Sequence, residues 1–168
     1  MAFRIGRVRN LVGLVFGLIL LSGCGGDGPQ PIDPSGTEWL SYNDPRNGFL
    51  IKYPATYKVT PSQGGEVGFT GPDDVLNYRV VFADNDSGKK RGLWVSSDPV
   101  GSLTISSHTA QRYVYDHWDG PVYSKTAAYV FQVSESRMMG VEFRLDKNNK
   151  DGTLDPGQQI VLDSLVVL

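Results

Sequence analysis

The feature that most constrains this chain is the recurrence of apolar residues at every second position. Leu76, Tyr78, Val80 and Phe82 alternate with Asn77, Arg79, Val81 and Ala83, and Met139, Val141, Phe143 and Leu145 alternate with Gly140, Glu142 and Arg144. Successive side chains of a strand point to opposite faces, so this period predicts half-buried β-strands with one row in a core. Phe49 to Tyr53 predicts another strand, stopped by Pro54, which has no amide to continue a ladder. Leu93 and Val95 mark one more, ended at Asp98-Pro99.

Asp119-Gly120 lies between two β-rich runs, Thr109 to Trp118 and Pro121 to Val133. A type I′ turn needs positive φ at both central positions, which Asp-Gly accepts, so a tight hairpin is predicted. Centring the turn there puts Tyr113, Tyr115 and His117 on one face, with Val122, Ser124 and Thr126 opposite them. The other face, with Arg112, Asp116 and Lys125, is expected to be solvated. Near the C-terminus, Asp155-Pro156 has the form of an N-cap followed by proline at the first helical position. Val161 and Leu165, with Leu162 beside them, then give an i, i+4 apolar stripe. One helix on an antiparallel sheet makes the expected class α+β, with all-β as the alternative.

Ahead of this region stands a different kind of segment. Residues 1–10 are basic, Leu11 to Leu21 is an apolar run of 11 residues, and small residues follow, which is the order of an export signal. The run is short for a bilayer core, which takes about 20 helical residues. Leu21-Ser22-Gly23-Cys24 resembles the lipobox of bacterial lipoproteins. That resemblance implies cleavage before Cys24 and acyl chains on Cys24, which would hold the protein at a membrane without any other cofactor. Gly25 stands where many inner-membrane lipoproteins carry Asp, so in a host with two membranes the resemblance favours the outer one, facing the periplasm. From Gly25 to Thr37 the chain is mostly Gly, Pro, Asp and Ser with a lone Ile32, a composition expected to act as a tether. The expected organisation is a signal peptide over 1–23, a lipidated cysteine and tether over 24–37, and one domain over 38–168.

A second resemblance lies at the two ends of that domain. Gly48-Phe49-Leu50-Ile51-Lys52-Tyr53-Pro54, within the longer stretch from Trp39, is similar to the "Gly-Phe-x-Ile-x-Tyr-Pro" phrase that opens PsbP-like domains. Ile160-Val161-Leu162-Asp163-Ser164-Leu165 is similar to their closing "Ile-Leu-x-Ser" phrase, offset by a residue. The middle departs from the family, with hairpin signals where a helix is usual, and no binding residues carry over.

Charge and cysteine content exclude several classes. Without the leader arginines Arg4, Arg7 and Arg9, 13 basic side chains face 18 acidic ones, a net charge of −5. Such a balance does not track nucleic-acid phosphates and makes no polybasic membrane footprint. A single cysteine allows neither an internal disulfide nor a cysteine-based zinc site.

Three candidate sites remain. Asp146 to Asp155 is similar to a calcium loop: with Gly152 at position 6, Asn149, Asp151 and Asp155 fall at ligand positions. Lys147 and Gln158 then fall where acids are expected, and a polar turn bent at Asp151-Gly152 explains the segment as well. A hydrolase would centre on His108 or His117 with Ser106, Ser107 or Asp116, yet Asp116 and His117 are adjacent on a strand and point apart. No Gly-x-Ser-x-Gly elbow or His-Glu-x-x-His helix occurs. Trp94, Tyr115, Trp118 and Tyr123 are candidates for a partner surface, since aromatic side chains are common at interfaces and equally good strand formers. The sequence therefore leads to a membrane-anchored envelope module that binds or assembles with an envelope protein or glycan. A calcium-binding module and an envelope hydrolase are the alternatives.

Overall fold

The computed structural model describes residues 28–61, 65–84, 98–119 and 122–168. The elements run β1 (Trp39–Asp44), β2 (Phe49–Pro54), β3 (Lys58–Pro61), β4 (Glu66–Thr70), β5 (Leu76–Asp84), β6 (Gly101–Ile105), β7 (His108–Asp119), β8 (Val122–Ser134), β9 (Arg137–Leu145), α1 (Pro156–Asp163) and β10 (Val166–Val167). All pairings are antiparallel. They build a small sheet ordered β1-β2-β10 and a large one ordered β3-β4-β5-β9-β8-β7-β6. With the single described helix, this is the α+β class expected. The leader, Cys24, Trp94 and the strand expected at Leu93 and Val95 lie outside the described residues.

One main core joins both sheets and the helix. Tyr78, Val80 and Phe82 of β5 and Met139, Val141, Phe143 and Leu145 of β9 meet Phe49 and Ile51 of β2 and Val161, Leu162 and Leu165 from the helical end. Burying an aromatic or aliphatic side chain of this size contributes about 1.5–3 kcal/mol relative to exposure. Tyr78 ties the layers together. Its ring stacks on Phe69 at 4.5 Å and 12°, and its hydroxyl donates to the Lys52 carbonyl at 3.1 Å. A buried phenol needs such an acceptor.

The strands β5 and β9 are buried on both faces, which differs from the half-buried expectation. Both are interior strands of the large sheet, and the odd-numbered row of β5 enters a second cluster, where Val81 and Ala83 meet Ala128, Val130 and Tyr115. Small side chains there are covered by the larger ones of their neighbours.

The hairpin β7–β8 forms with a shifted register. Asp119 pairs with Val122, so residues 120 and 121 make the connection, and their conformation lies outside the described residues. His117 faces Ser124, Tyr115 faces Thr126 and Tyr113 faces Ala128. Centring the turn on Asp119-Gly120 would have paired Pro121 with Trp118, and proline has no amide to give. The shift is an even number of residues, so every side chain keeps its expected face.

Helix α1 begins as the sequence predicts. Asp155 accepts the Gln158 amide at 2.7 Å, the Gln158 side chain accepts the Asp155 amide at 3.2 Å, and Pro156 opens the first turn. Its C-cap Ser164 accepts the Lys52 amide through Oγ at 2.8 Å, and Val166 pairs with Leu50. The opening phrase, in β2, thus touches the closing phrase at Ser164, just ahead of β10.

The expected tether is partly docked. Pro29 and Ile32 are buried, the Gln30 carbonyl accepts Asn77 Nδ2 at 3.2 Å, and the Ile32 amide donates to Asp155 Oδ2 at 3.2 Å. A Cβ on Gly157 would stand 2.3 Å from Ile32 Cβ, so only glycine admits this close approach. A lone isoleucine suffices because the folded domain supplies a finished surface for it. Packing against the domain therefore begins well before residue 38.

Tyr78→Phe keeps the ring stack and removes the donor to Lys52. It is expected to lower stability by about 1 kcal/mol, read as a lower urea midpoint with unchanged slope. An unchanged midpoint contradicts the tie between sheets.

Candidate functional site

The highest concentration of buried polar chemistry lies on the outer face of the large sheet. Strand register alone lines up Gly68, Arg79, Glu142, Ala128 and Tyr113 across β4, β5, β9, β8 and β7. Arg79 donates through Nε to Glu142 Oε2 at 2.7 Å and through Nη1 to Glu66 Oε2 at 3.2 Å. The exposures decide the weight of these pairs: the Glu142 side chain is 4% exposed and Arg79 17%, against 43% for Glu66. Burial alone would lower the Arg79 guanidinium, but Glu142 and Glu66 outweigh it and hold it above its usual value.

Tyr115 lies over this pair and is itself buried. Burial pushes its phenol well up, and the nearby Glu142 carboxylate pushes it further. Neither the Tyr115 hydroxyl nor Glu142 Oε1 meets a partner at hydrogen-bond geometry, and the buried Ser124 hydroxyl is in the same position. Beside them is a cavity of about 10 Å³ bordered by Leu76, Arg79, His117, Thr126, Glu142 and Arg144. That is room for about one water. Organic substrates occupy pockets of roughly 300–1,000 Å³. Two larger hollows occur elsewhere. One of about 190 Å³ lies between Pro31, Pro54, Tyr57 and Pro72, and one of about 300 Å³ lies between Tyr42, Arg46, Pro61 and Glu66. Neither histidine borders either hollow.

The histidines are separated by the fold. His108 is held by Ser106, whose carbonyl lies 2.9 Å from Nδ1, and its ring packs on Phe131 at 5.6 Å. Ser106 and Ser107 form the two-residue β6–β7 turn, with φ of 46° and 67°. The Ser106 hydroxyl accepts the Val167 amide at 2.9 Å, so it stitches the C-terminal strand to this turn. Asp116 turns away from His117, as expected, and pairs with Lys125 at 3.0 Å.

The loop similar to a calcium site is closed by its own side chains. Asn149 donates to the Thr153 carbonyl at 2.7 Å and accepts the Thr153 amide at 3.1 Å. Both Asp155 oxygens serve amides, those of Gln158 and Ile32. Burial raises the Asp155 carboxyl while these bonds oppose the rise. The Arg112 guanidinium donates to the carbonyls of Asp151 and Gly152 at 2.7 and 2.8 Å. Arg112 is therefore half-buried in a clamp on the loop, where a solvated position was expected. Gly152, at φ 67°, makes the predicted bend, and a Cβ there would meet Val114 at 2.3 Å. Among the described residues, no group of three or more His, Cys, Asp or Glu is arranged to hold a metal ion.

Of the aromatic candidates, Tyr115 is corrected: its burial in the sheet face removes it from any partner surface. Tyr123 is half-buried and its hydroxyl is bound to Asp116. Trp94 and the side chain of Trp118 lie outside the described residues. The Arg79–Glu142 pair was missed in the sequence, although a charge at the centre of each alternating strand was visible. What was lacking was the register that sets them opposite one another.

No protein-family model matches the chain, and no curated protein sequence matches it. Among solved structures it is similar to a protein of Bacteroides thetaiotaomicron VPI-5482, with a TM-score of 0.54 and 14% identity over 76% of this chain and 48% of that one. The chain thus spans about half the length of that protein. It is also similar to cyanobacterial PsbP (CyanoP) of Synechocystis sp. PCC 6803, with a TM-score of 0.52 and 13% identity over 88% of this chain and 99% of that one. These likenesses support the PsbP-like resemblance at the level of fold.

Two measurements test the cluster. Glu142→Gln leaves Arg79 with only the half-exposed Glu66 and is expected to cost about 2–3 kcal/mol, while Arg79→Met with Glu142→Leu costs less than that single change. A double variant as unstable as the sum of the singles contradicts a mutual structural pair. The second concerns alkali. Tyr57, Tyr78 and Tyr115 are held protonated by burial, so above about pH 10 the unfolded state releases protons that the folded state keeps. Stability then falls as pH rises, and phenolate absorbance and loss of circular dichroism should appear together. Full tyrosine ionisation with the fold intact contradicts this.

Proposed function

We propose that this protein is a membrane-anchored cell-envelope lipoprotein whose α+β domain acts as a non-catalytic binding or assembly module. The observation that carries the reading is Leu21-Ser22-Gly23-Cys24 at the end of the apolar run Leu11 to Leu21. Acyl chains on Cys24 contribute about 0.8 kcal/mol per buried methylene, and two or three chains anchor durably. No helix among the described residues is long and apolar enough to cross a membrane.

The pairing of several charged groups and the fixing of His108 support a module without chemistry of its own. Arg79, Glu142 and Glu66 hold each other, His108 is fixed against Ser106 and Phe131, and Asp116 serves Lys125. Anchoring raises the domain's effective concentration near other envelope components, so modest contacts with an envelope protein or glycan suffice. In a host with two membranes, Gly25 favours the outer membrane and the periplasmic face.

Cys24→Ser removes the acyl acceptor and leaves every described contact in place. Fractionation of expressing cells is expected to find the parent protein with membranes and this variant released from them. Equal membrane retention of the two proteins would overturn the reading.

A further inference from the structure

The docked strap bears on how such an anchored domain stands, an inference that rests on the anchoring reading above. A Cβ on Gly28 would lie 3.4 Å from Asp146 Cα, so the chain enters the fold beside the end of β9. From there Pro29 is buried, Gln30 is held by Asn77, and Ile32 is locked against Gly157 and Asp155. Four residue steps separate Cys24 from Gly28. Whatever their conformation, they span at most about 14 Å.

The same end of the molecule carries the 146–153 loop, with Lys147 and Lys150 exposed beside Asp146 and Asp151. This even balance is not repelled by anionic headgroups, unlike the acidic protein as a whole. The β7–β8 pair also reaches that way. Lys125 stands opposite Leu145, the last residue of β9, and the pairing runs on through His117–Ser124 and Trp118–Tyr123 to Asp119–Val122. These further pairs extend about 10 Å past the end of β9. At the other end of β9 lies the turn between Ser134 and Arg137, about 27 Å away along the strand.

We propose that the protein stands end-on upon a phospholipid bilayer, with the C-terminal end of β9 and the 146–153 loop toward the headgroups. The Ser134–Arg137 turn then faces away and is presented to partners. The strap, more than the lipid, sets this orientation, because it removes the slack that would let the domain tumble.

The test uses the full protein purified with its native lipid and reconstituted in vesicles of phosphatidylcholine and phosphatidylglycerol. A donor fluorophore is placed at Lys150→Cys or at Ser136→Cys, both exposed positions, and an acceptor on the lipid headgroups. Energy transfer from position 150 is expected to exceed that from position 136 by about twofold or more. Equal or reversed transfer overturns the orientation. Ile32→Gly, checked for cooperative melting, is expected to shrink the difference by unseating the strap. An undiminished difference in that folded variant overturns the strap's role. The intact mass of the same sample separates the two levels: a protein without acyl groups overturns the anchoring itself, whereas an acylated protein with equal transfer overturns the end-on stance alone.

Discussion

The architecture depends on what two neighbouring residues of β5 do on opposite faces of one sheet. Tyr78 points inward, stacks on Phe69, and gives its hydroxyl to the Lys52 carbonyl of β2, so the small sheet is fixed to the large one. Arg79 points outward and joins Glu142 of β9 and Glu66 of β4. A paired strand must put successive residues on opposite faces. Any slip of β5 by one residue would bury the guanidinium in the aromatic core and take the phenol out of it to the opposite face of the sheet. The large penalty for a buried unpaired charge makes this an effective guard on register.

Much of this was legible in the sequence, and the limits have physical causes. The alternation around Tyr78 and Phe143 is local information, as is the Asp155-Pro156 cap, and both predicted their elements. Pairing partners are not local. The hairpin at Asp119-Gly120 was predicted, yet its register moved because Pro121 cannot donate to a ladder. Ile32 looked too isolated to fold, and so it is within its own segment. Its site is made by Gly157 and Asp155, more than a hundred residues later. Arg112 looked solvated because nothing nearby in sequence needs it, whereas the carbonyls it clamps belong to Asp151 and Gly152.

The candidate sites were partly legible for the same reason. Asn149, Asp151 and Asp155 were noticed for their oxygens, and the fold uses the side chains of Asn149 and Asp155 and the carbonyl of Asp151 to close a turn and cap a helix. Tyr115 was noticed as an aromatic, and the sheet uses it to cover a buried ion pair. For the three loop residues the structure supplies internal partners, and for Tyr115 it supplies burial over the Arg79–Glu142 pair. The two phrases similar to PsbP-like domains meet through Ser164, Lys52, Val166 and Leu50, which gives that resemblance a structural basis at the closure of the small sheet. A shared closure speaks for common architecture, and function has to be argued from sites.

An anchored module of this kind requires that the thiol of Cys24 be consumed by lipid. Intact-protein mass spectrometry of the product isolated from its own host measures this directly. The account predicts a chain that starts at Cys24 and carries the added mass of a diacylglyceryl group, with or without a further acyl chain. A free thiol at Cys24, or residues 1–23 still attached, contradicts it.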